Sequence, residues 1–251
     1  MLMNVAEITQ SAEIYPELAG TRVLITGIGP DCGIDVARVF AEHGCRMILQ
    51  IPNPCRKTDA FLQIIAENAE DVRAHHEPIT DSEKAIRFTQ KAAKLYSGID
   101  TVINFIQLRR HDLNRMVTLE EIETFLSNRL QAASQATRVA ANRMGFTRSS
   151  GSILNIMHTP SPKSGSEMAL AGIARTALAA LTKAEAGQWA DCGVRINAVA
   201  PPSTTFAVSA GMDDCIYNEA ELAQMALYLT SHKGRELSGH VLLYDRHEPG
   251  N

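Results

Sequence analysis

Along the chain, apolar runs of five to seven residues alternate with longer stretches whose apolar positions recur every three or four residues. The runs RVLIT (22–26), RMILQ (46–50), DVRAH (71–75), DTVINF (100–105), GSILNIM (151–157), RINAVA (195–200) and HVLLYD (240–245) predict strands. Most are apolar at successive positions, the pattern of strands covered on both faces. Helical periodicity spans 33–43, 57–69, 82–96, 119–144, 166–190 and 219–230. Thr118 followed by Glu121, ahead of Phe125, Leu126 and Leu130, fits a capping box at the start of the fourth helix. Regular strand–helix alternation predicts an α/β fold: a single-domain, doubly wound parallel sheet of about seven strands with helices on both faces. Such sheets bind ligands outside the carboxyl ends of the strands, where the strand order reverses. No repeat or Pro/Gly-rich linker interrupts the pattern, so residues 17–251 are expected to form one domain behind a tail of residues 1–16.

Composition narrows the function classes. A net charge of −4 gives no global basic field for nucleic acid or an anionic membrane. No apolar span approaches the roughly 18 residues needed to cross a bilayer. The opening MLMNVAEITQSAEIYPELAG lacks a basic region followed by an apolar run. The five cysteines (Cys32, Cys45, Cys55, Cys192, Cys215) form no CxxC pair. That pattern favours a reducing compartment, and a cytoplasmic protein is expected. His75 and His76 are adjacent and no Cys/His cluster has ligand spacing, so no metal site is expected.

Four strings carry more specific information: ELAGTRVLITG (17–27), GSILNI (151–156), GVRINAVAPP (193–202) and LSGHVLLYD (237–245). In this order and spacing they resemble the first, fifth, sixth and last strand regions of the short-chain dehydrogenase/reductase family, from about Glu17 onward. The resemblance implies a Rossmann-like fold and an NAD(P) cofactor. The family's TGxxxGxG loop falls on Thr26, Gly27, Ile28, Gly29, Pro30, Asp31, Cys32 and Gly33, with Ile34 following. Gly27 and Gly33 match, but Asp31 stands where the middle glycine belongs. A side chain there takes space that phosphates need, and its charge repels them. Two readings follow: a tight turn in which Asp31 caps the next helix, or a surviving pyrophosphate site in which the freedom of Gly29 reshapes the turn. At the ribose position, Ile51 and Pro52 replace the expected polar side chain, while Arg56 and Lys57 suit either a phosphate or a solvated helix start. Pro78 replaces the Asp after strand three, and of the NNAG string only Asn104 survives in Asn104, Phe105, Ile106 and Gln107.

The resemblance also assigns four catalytic positions. The Ser falls on His158, the Tyr on Ala171, the Lys on Arg175 and the Asn on Asn128, so Asn128 alone is retained. The chain has no Tyr between 97 and 216, which leaves no register that restores one on this helix. Losing a general acid costs about a hundred- to ten-thousandfold in rate. His158 is therefore either a substitute proton donor or a loop histidine, and Arg175 either an anion holder or a helix-surface ion-pair partner. QLRRHDLNR (107–115) brings Arg109, Arg110, His111 and Arg115 to the binding edge, as an anion pocket or a solvated loop. Cys32 is either an activated thiol or buried and inert. Phe206, Met212 and Tyr217, after Pro202, either line an apolar site or pack their loop. Ala132, Ala133, Ala136, Val139, Ala140, Leu178 and Leu181 suit either an oligomer interface of the kind the family uses, in a homodimer or homotetramer, or packing on the sheet. Two functions are in contention. One is a non-classical or non-catalytic member of the fold that binds an anionic small molecule or serves as a partner subunit. The other is a divergent NAD(P)-dependent oxidoreductase acting on a carbonyl or hydroxyl substrate, assisted by His158 or Arg175.

Overall fold

The computed structural model describes residues 15–109, 118–159, 164–201 and 218–244. Seven strands, β1 (Arg22–Thr26), β2 (Arg46–Gln50), β3 (Asp71–His75), β4 (Thr101–Gln107), β5 (Gly151–His158), β6 (Val194–Ala200) and β7 (Val241–Leu243), form one sheet. All pairings are parallel and the order is β3-β2-β1-β4-β5-β6-β7. The helices are α1 (Ile34–Glu42), α2 (Arg56–Asn68), α3 (Ser82–Leu95), α4 (Leu119–Thr147), α5 (Gly165–Trp189) and α6 (Glu219–Thr230). The sheet matches the expected architecture.

Successive strand residues enter opposite layers, which is why the strands read as continuous apolar runs. Val23 and Ile25 of β1 pack with Val36 and Phe40 of α1, Phe61 and Ile65 of α2, and Leu222 and Ala226 of α6. Leu24, between them, packs on the other face with Phe88 and Ala92 of α3 and Ala140 and Met144 of α4. The edge strand β3 is half-exposed and correspondingly polar. The α4 capping box forms as expected: the Glu121 N–H donates to Thr118 Oγ1 at 3.2 Å, and the Thr118 N–H donates to Glu121 Oε2 at 3.0 Å. Four strands differ from the expected bounds, β5 and β6 by one residue each and β4 and β7 by more. β4 runs on to Gln107 because it pairs with β5 as far as Gln107 opposite His158. β7 is only three residues long because its single partner, β6, ends at Ala200.

The strand order reverses between β1 and β4, which are neighbours in the sheet although the chain runs through β2 and β3 between them. The loops leaving these two strands therefore diverge and open a crevice at their carboxyl ends.

Candidate functional site

Residues 27–33 form a closed turn. Gly27 has φ +76, and a Cβ there would lie 2.5 Å from the Phe105 carbonyl oxygen, so only glycine fits. Its N–H donates to Gln50 Oε1 at 2.7 Å, and its carbonyl accepts from Gln107 Nε2 at 2.5 Å. Gly33 has φ +85, and a Cβ there would meet the Phe105 ring at 2.8 Å. Gly29, in contrast, lies outside the left-handed region and pairs its backbone with Cys32 (2.9 and 3.4 Å), so the turn does not use glycine's freedom there.

Asp31 does not cap α1. The N-cap is Gly33, with no side-chain cap from the loop, and Asp31 stays exposed. The cap arrives from the far end of the chain. The Gly33 N–H points at both carboxylate oxygens of Glu219, each 3.1 Å away. Glu219 is the first residue of α6, which packs beside α1 through Leu222, Ala223 and Ala226. A local reading of the sequence finds Asp31, adjacent to the helix, and misses Glu219, which tertiary packing delivers. Burial pushes the Glu219 carboxyl up from its ordinary value, the N–H groups of Gly33 and Asp35 pull it down, and the charges of Asp35 and Asp31 raise it again.

These residues do not fit a dinucleotide pyrophosphate at the start of α1. That position normally holds an anion on open backbone N–H groups, and here a carboxylate of the chain already accepts from Gly33. When Glu219 is ionised, one added negative charge about 4 Å away is disfavoured by about 4 kcal/mol at an effective dielectric of 20, roughly a thousandfold in affinity. The ribose side fits no better, because Ile51 is fully buried in the core. Asn104 is also engaged: its Oδ1 accepts from Thr26 Oγ1 at 3.0 Å and its Nδ2 donates to Asn155 Oδ1 at 2.9 Å. Ile34 is half-buried at the first position of α1, packed against the core. Arg56 and Lys57 are exposed at the start of α2.

Among the residues at the catalytic positions, His158 ends β5, half-buried, and its carbonyl accepts from the Leu108 N–H at 2.8 Å. Burial lowers its pKa to about 4; Asp31 counteracts and Arg109 reinforces the shift. The imidazole is therefore neutral at neutral pH, and the charges of Asp31 and Arg109 both reach it. Ala171 and Arg175 lie one turn apart on α5, with Arg175 half-buried and its Nη1 donating to the Pro201 carbonyl at 3.5 Å. Asn128 is exposed on α4.

Asn128 belongs to a cavity of about 460 Å³ at the carboxyl ends of β1, β2 and β4, closed on one side by α4. Its walls include Thr26, Gln50, Pro78, Asn104, Phe105 and Gln107, but neither His158 nor Arg175. Two guanidinium groups, Arg109 and Arg129, reach it, and no Asp or Glu lines it among the described residues. Arg109 Nε donates to Gln107 Oε1 at 3.0 Å, and Gln107 in turn holds the Gly27 carbonyl, so the cofactor-type loop orients the cation. Arg129 stacks over the Phe125 ring, 5.3 Å from its centroid. Of the basic segment after β4, then, Arg109 enters the cavity; Arg110, His111 and Arg115 lie outside the described residues. Arg129, adjacent to Asn128, is the cation that the sequence reading did not single out.

Cys32 is buried at the turn. Ala133, Ala136, Ala140 and Leu178 are buried within the chain, which is the sheet-packing alternative, while Ala132, Val139 and Leu181 are half-buried. Pro202, Phe206, Met212 and Tyr217 lie outside the described residues. No group of three or more metal-ligating side chains occurs among the described residues, and no described helix is long and apolar enough to cross a membrane.

Comparison with known proteins fits this geometry into a family. Residues 21–214 match the family model described as short chain dehydrogenase. Momilactone A synthase from Oryza sativa subsp. japonica is 28% identical, over 91% of this chain and 90% of that protein. A peroxisomal 2,4-dienoyl-CoA reductase from Danio rerio is 24% identical, over 92% of this chain and 82% of that protein. The crystal structure of a short chain dehydrogenase from Burkholderia cenocepacia J2315 in complex with NADP superposes with a TM-score of 0.71 at 22% identity, covering 91% of this chain and 97% of that one. With the sheet order, the glycine turn and the family match in agreement over most of its length, the chain belongs to the short chain dehydrogenase family.

Proposed function

We propose that this chain is a non-classical member of the family that binds an anionic small molecule in the cavity beside β4, without the family's hydride chemistry. The observation that carries the reading is the charge of the cavity: two guanidinium groups, several amides and no lining carboxylate among the described residues. Planar guanidinium forks suit carboxylate and phosphate oxygens. The absence of a Tyr and a Lys at the positions now held by Ala171 and Arg175 supports the loss of hydride transfer, as does the Glu219 carboxylate set against the glycine turn. Self-association as a homodimer or homotetramer through the outer faces of α4 and α5, where Ile173 is half-exposed, belongs to the same reading and is checked by sedimentation equilibrium.

The test is calorimetry on the wild type with NADH and NADPH, and then with inorganic phosphate, ADP and succinate. The reading expects no dinucleotide binding at millimolar concentration and saturable binding of at least one small anion. Arg109→Ala and Arg129→Ala should each weaken that binding about tenfold or more, since a hydrogen bond to a charged group contributes about 1.5–3 kcal/mol. Micromolar binding of NADH or NADPH overturns it.

A second reading, a divergent NAD(P)-dependent oxidoreductase, draws support from relatives whose names describe reductases and from the NADP complex of a structural neighbour. It requires His158 or Arg175 to assist. With its pKa near 4, only about one His158 in a thousand is protonated at neutral pH, so His158 would act as a neutral imidazole. Under this reading His158→Ala loses turnover; wild-type turnover in that variant removes His158 from it.

A further inference from the structure

The seat at the start of α1 is filled by the chain itself, part by part. Gln50 accepts from the Gly27 N–H, Glu219 accepts from the Gly33 N–H with both oxygens, and the Phe105 ring closes the floor under Gly33. We propose that Glu219 is a built-in anion in the phosphate seat of the fold, which shuts that seat to external phosphates and ties α6 to the glycine turn. A cap of this kind is not a product of local chain geometry, because 186 residues separate the partners. Nor is the carboxylate a surface group that happens to fall nearby. It is half-buried, it links the first residue of α6 to the N-cap of the packed helix α1, and its side chain faces the α1 N-terminus.

The charged groups facing Glu219 reinforce its role. Asp31 from the turn and Asp35 from α1 both act on it with like charge. Arg38, one turn further along α1, pairs with Asp35 at 3.0 Å and with Glu42 at 2.8 Å. On α6 itself, Glu221 accepts from Asn218 and from the Tyr244 hydroxyl. An external phosphate would thus meet Glu219 and Asp31 together. The proposal stands apart from the ligand of the neighbouring cavity, since it is read at Gly33 and the cavity reading at Arg109 and Arg129.

The experiment follows the Gly33 backbone amide by ¹H–¹⁵N NMR in the full chain, with inorganic pyrophosphate as the probe. In the wild type, millimolar pyrophosphate should leave the Gly33 resonance unmoved. In Glu219→Ala it should produce a saturable shift, with affinity at least tenfold above any wild-type response. A saturable wild-type shift of equal affinity overturns the proposal, and so does a folded Glu219→Ala that remains silent. If that variant does not fold, a wild-type pH titration decides. The Gly33 amide must then follow the ionisation of the Glu219 carboxyl carbon with a shared midpoint above the ordinary glutamate value, and a Gly33 amide that ignores that ionisation overturns the assignment.

Discussion

His158 offers the sharpest quantitative check on the site. It is half-buried at the end of β5, and desolvation by burial lowers its pKa from 6.5 to about 4. The unfolded chain therefore binds a proton at this residue throughout the window between those values, while the folded chain does not. Stability rises with pH where the unfolded state holds more protons. The neutral ring thus contributes its full share above about pH 6.5, and that share is lost as the pH falls toward 4. Integrating the linkage from about pH 7.5 to about pH 4.5 at about 1.36 kcal/mol per unit gives a loss of about 2.5 kcal/mol. His158→Gln keeps a polar side chain of similar size without an ionisation in this range. Urea unfolding of both proteins at several pH values gives the difference directly. Glu219 and Glu185, whose carboxyls burial raises, act in the opposite sense, but they do so equally in both proteins and cancel. The wild type should lose about 2.5 kcal/mol more than the variant over the window. Parallel curves would refute the buried, neutral imidazole, and with it the inferred position of His158 relative to Asp31 and Arg109.

Two further substitutions probe how the site is held. Gly33→Ala places a Cβ 2.8 Å from the Phe105 ring at φ +85. The left-handed conformation alone costs about 1–2 kcal/mol for a non-glycine residue, so a loss of about 2 kcal/mol or more is expected in urea unfolding; a loss below about 0.5 kcal/mol contradicts the turn geometry. Arg195 donates to the carbonyls of Leu229, Thr230, Ser231, Gly234 and Leu237, gathering the end of α6 against β6. Arg195→Met should cost about 3 kcal/mol through the carbonyls it strands, with amide exchange accelerating first over residues 227–237; uniform exchange across the sheet contradicts that role.

The fold was legible because its signal is local and redundant. β1, β2, β3 and α6 carry the bounds that periodicity gave them, since double-sided burial writes continuous apolar runs into a parallel sheet. The α4 capping box was equally readable, for both partners lie within one turn. Strand ends depended on a neighbour's length, as β4 shows, and so were less visible. Gly27 and Gly33 were legible because only glycine tolerates the backbone they adopt, whereas Gly29 shares the letter without the conformation. Asp31 shows where local reading fails. An acid before a helix resembles a cap, but α1 takes its cap from Glu219, and nothing near Gly33 in sequence announces that. Arg129 was hidden for a related reason: its part in the cavity depends on which face of α4 meets the crevice, and the resemblance had drawn attention to its neighbour Asn128 instead.

The two halves of the crevice have opposite electrostatic character, and this difference links the observations. Asp31, Asp35 and Glu219 gather at the glycine turn, where Arg38 pairs with one of them; the adjoining cavity presents Arg109 and Arg129 with no carboxylate in its described lining. A helix N-terminus favours a carboxylate by about 0.3–2 kcal/mol. The Glu219 carboxyl nevertheless sits above its ordinary pKa, so burial and its acidic neighbours outweigh that gain. By linkage, stability attributable to Glu219 falls as the pH rises from the ordinary glutamate pKa through its raised one. A dinucleotide must place its phosphates on the acidic side, while a compact anion can be held entirely on the basic side. Under the proposed reading, the arrangement would discriminate between ligands by where their charge lies, with the basic side open to small anions.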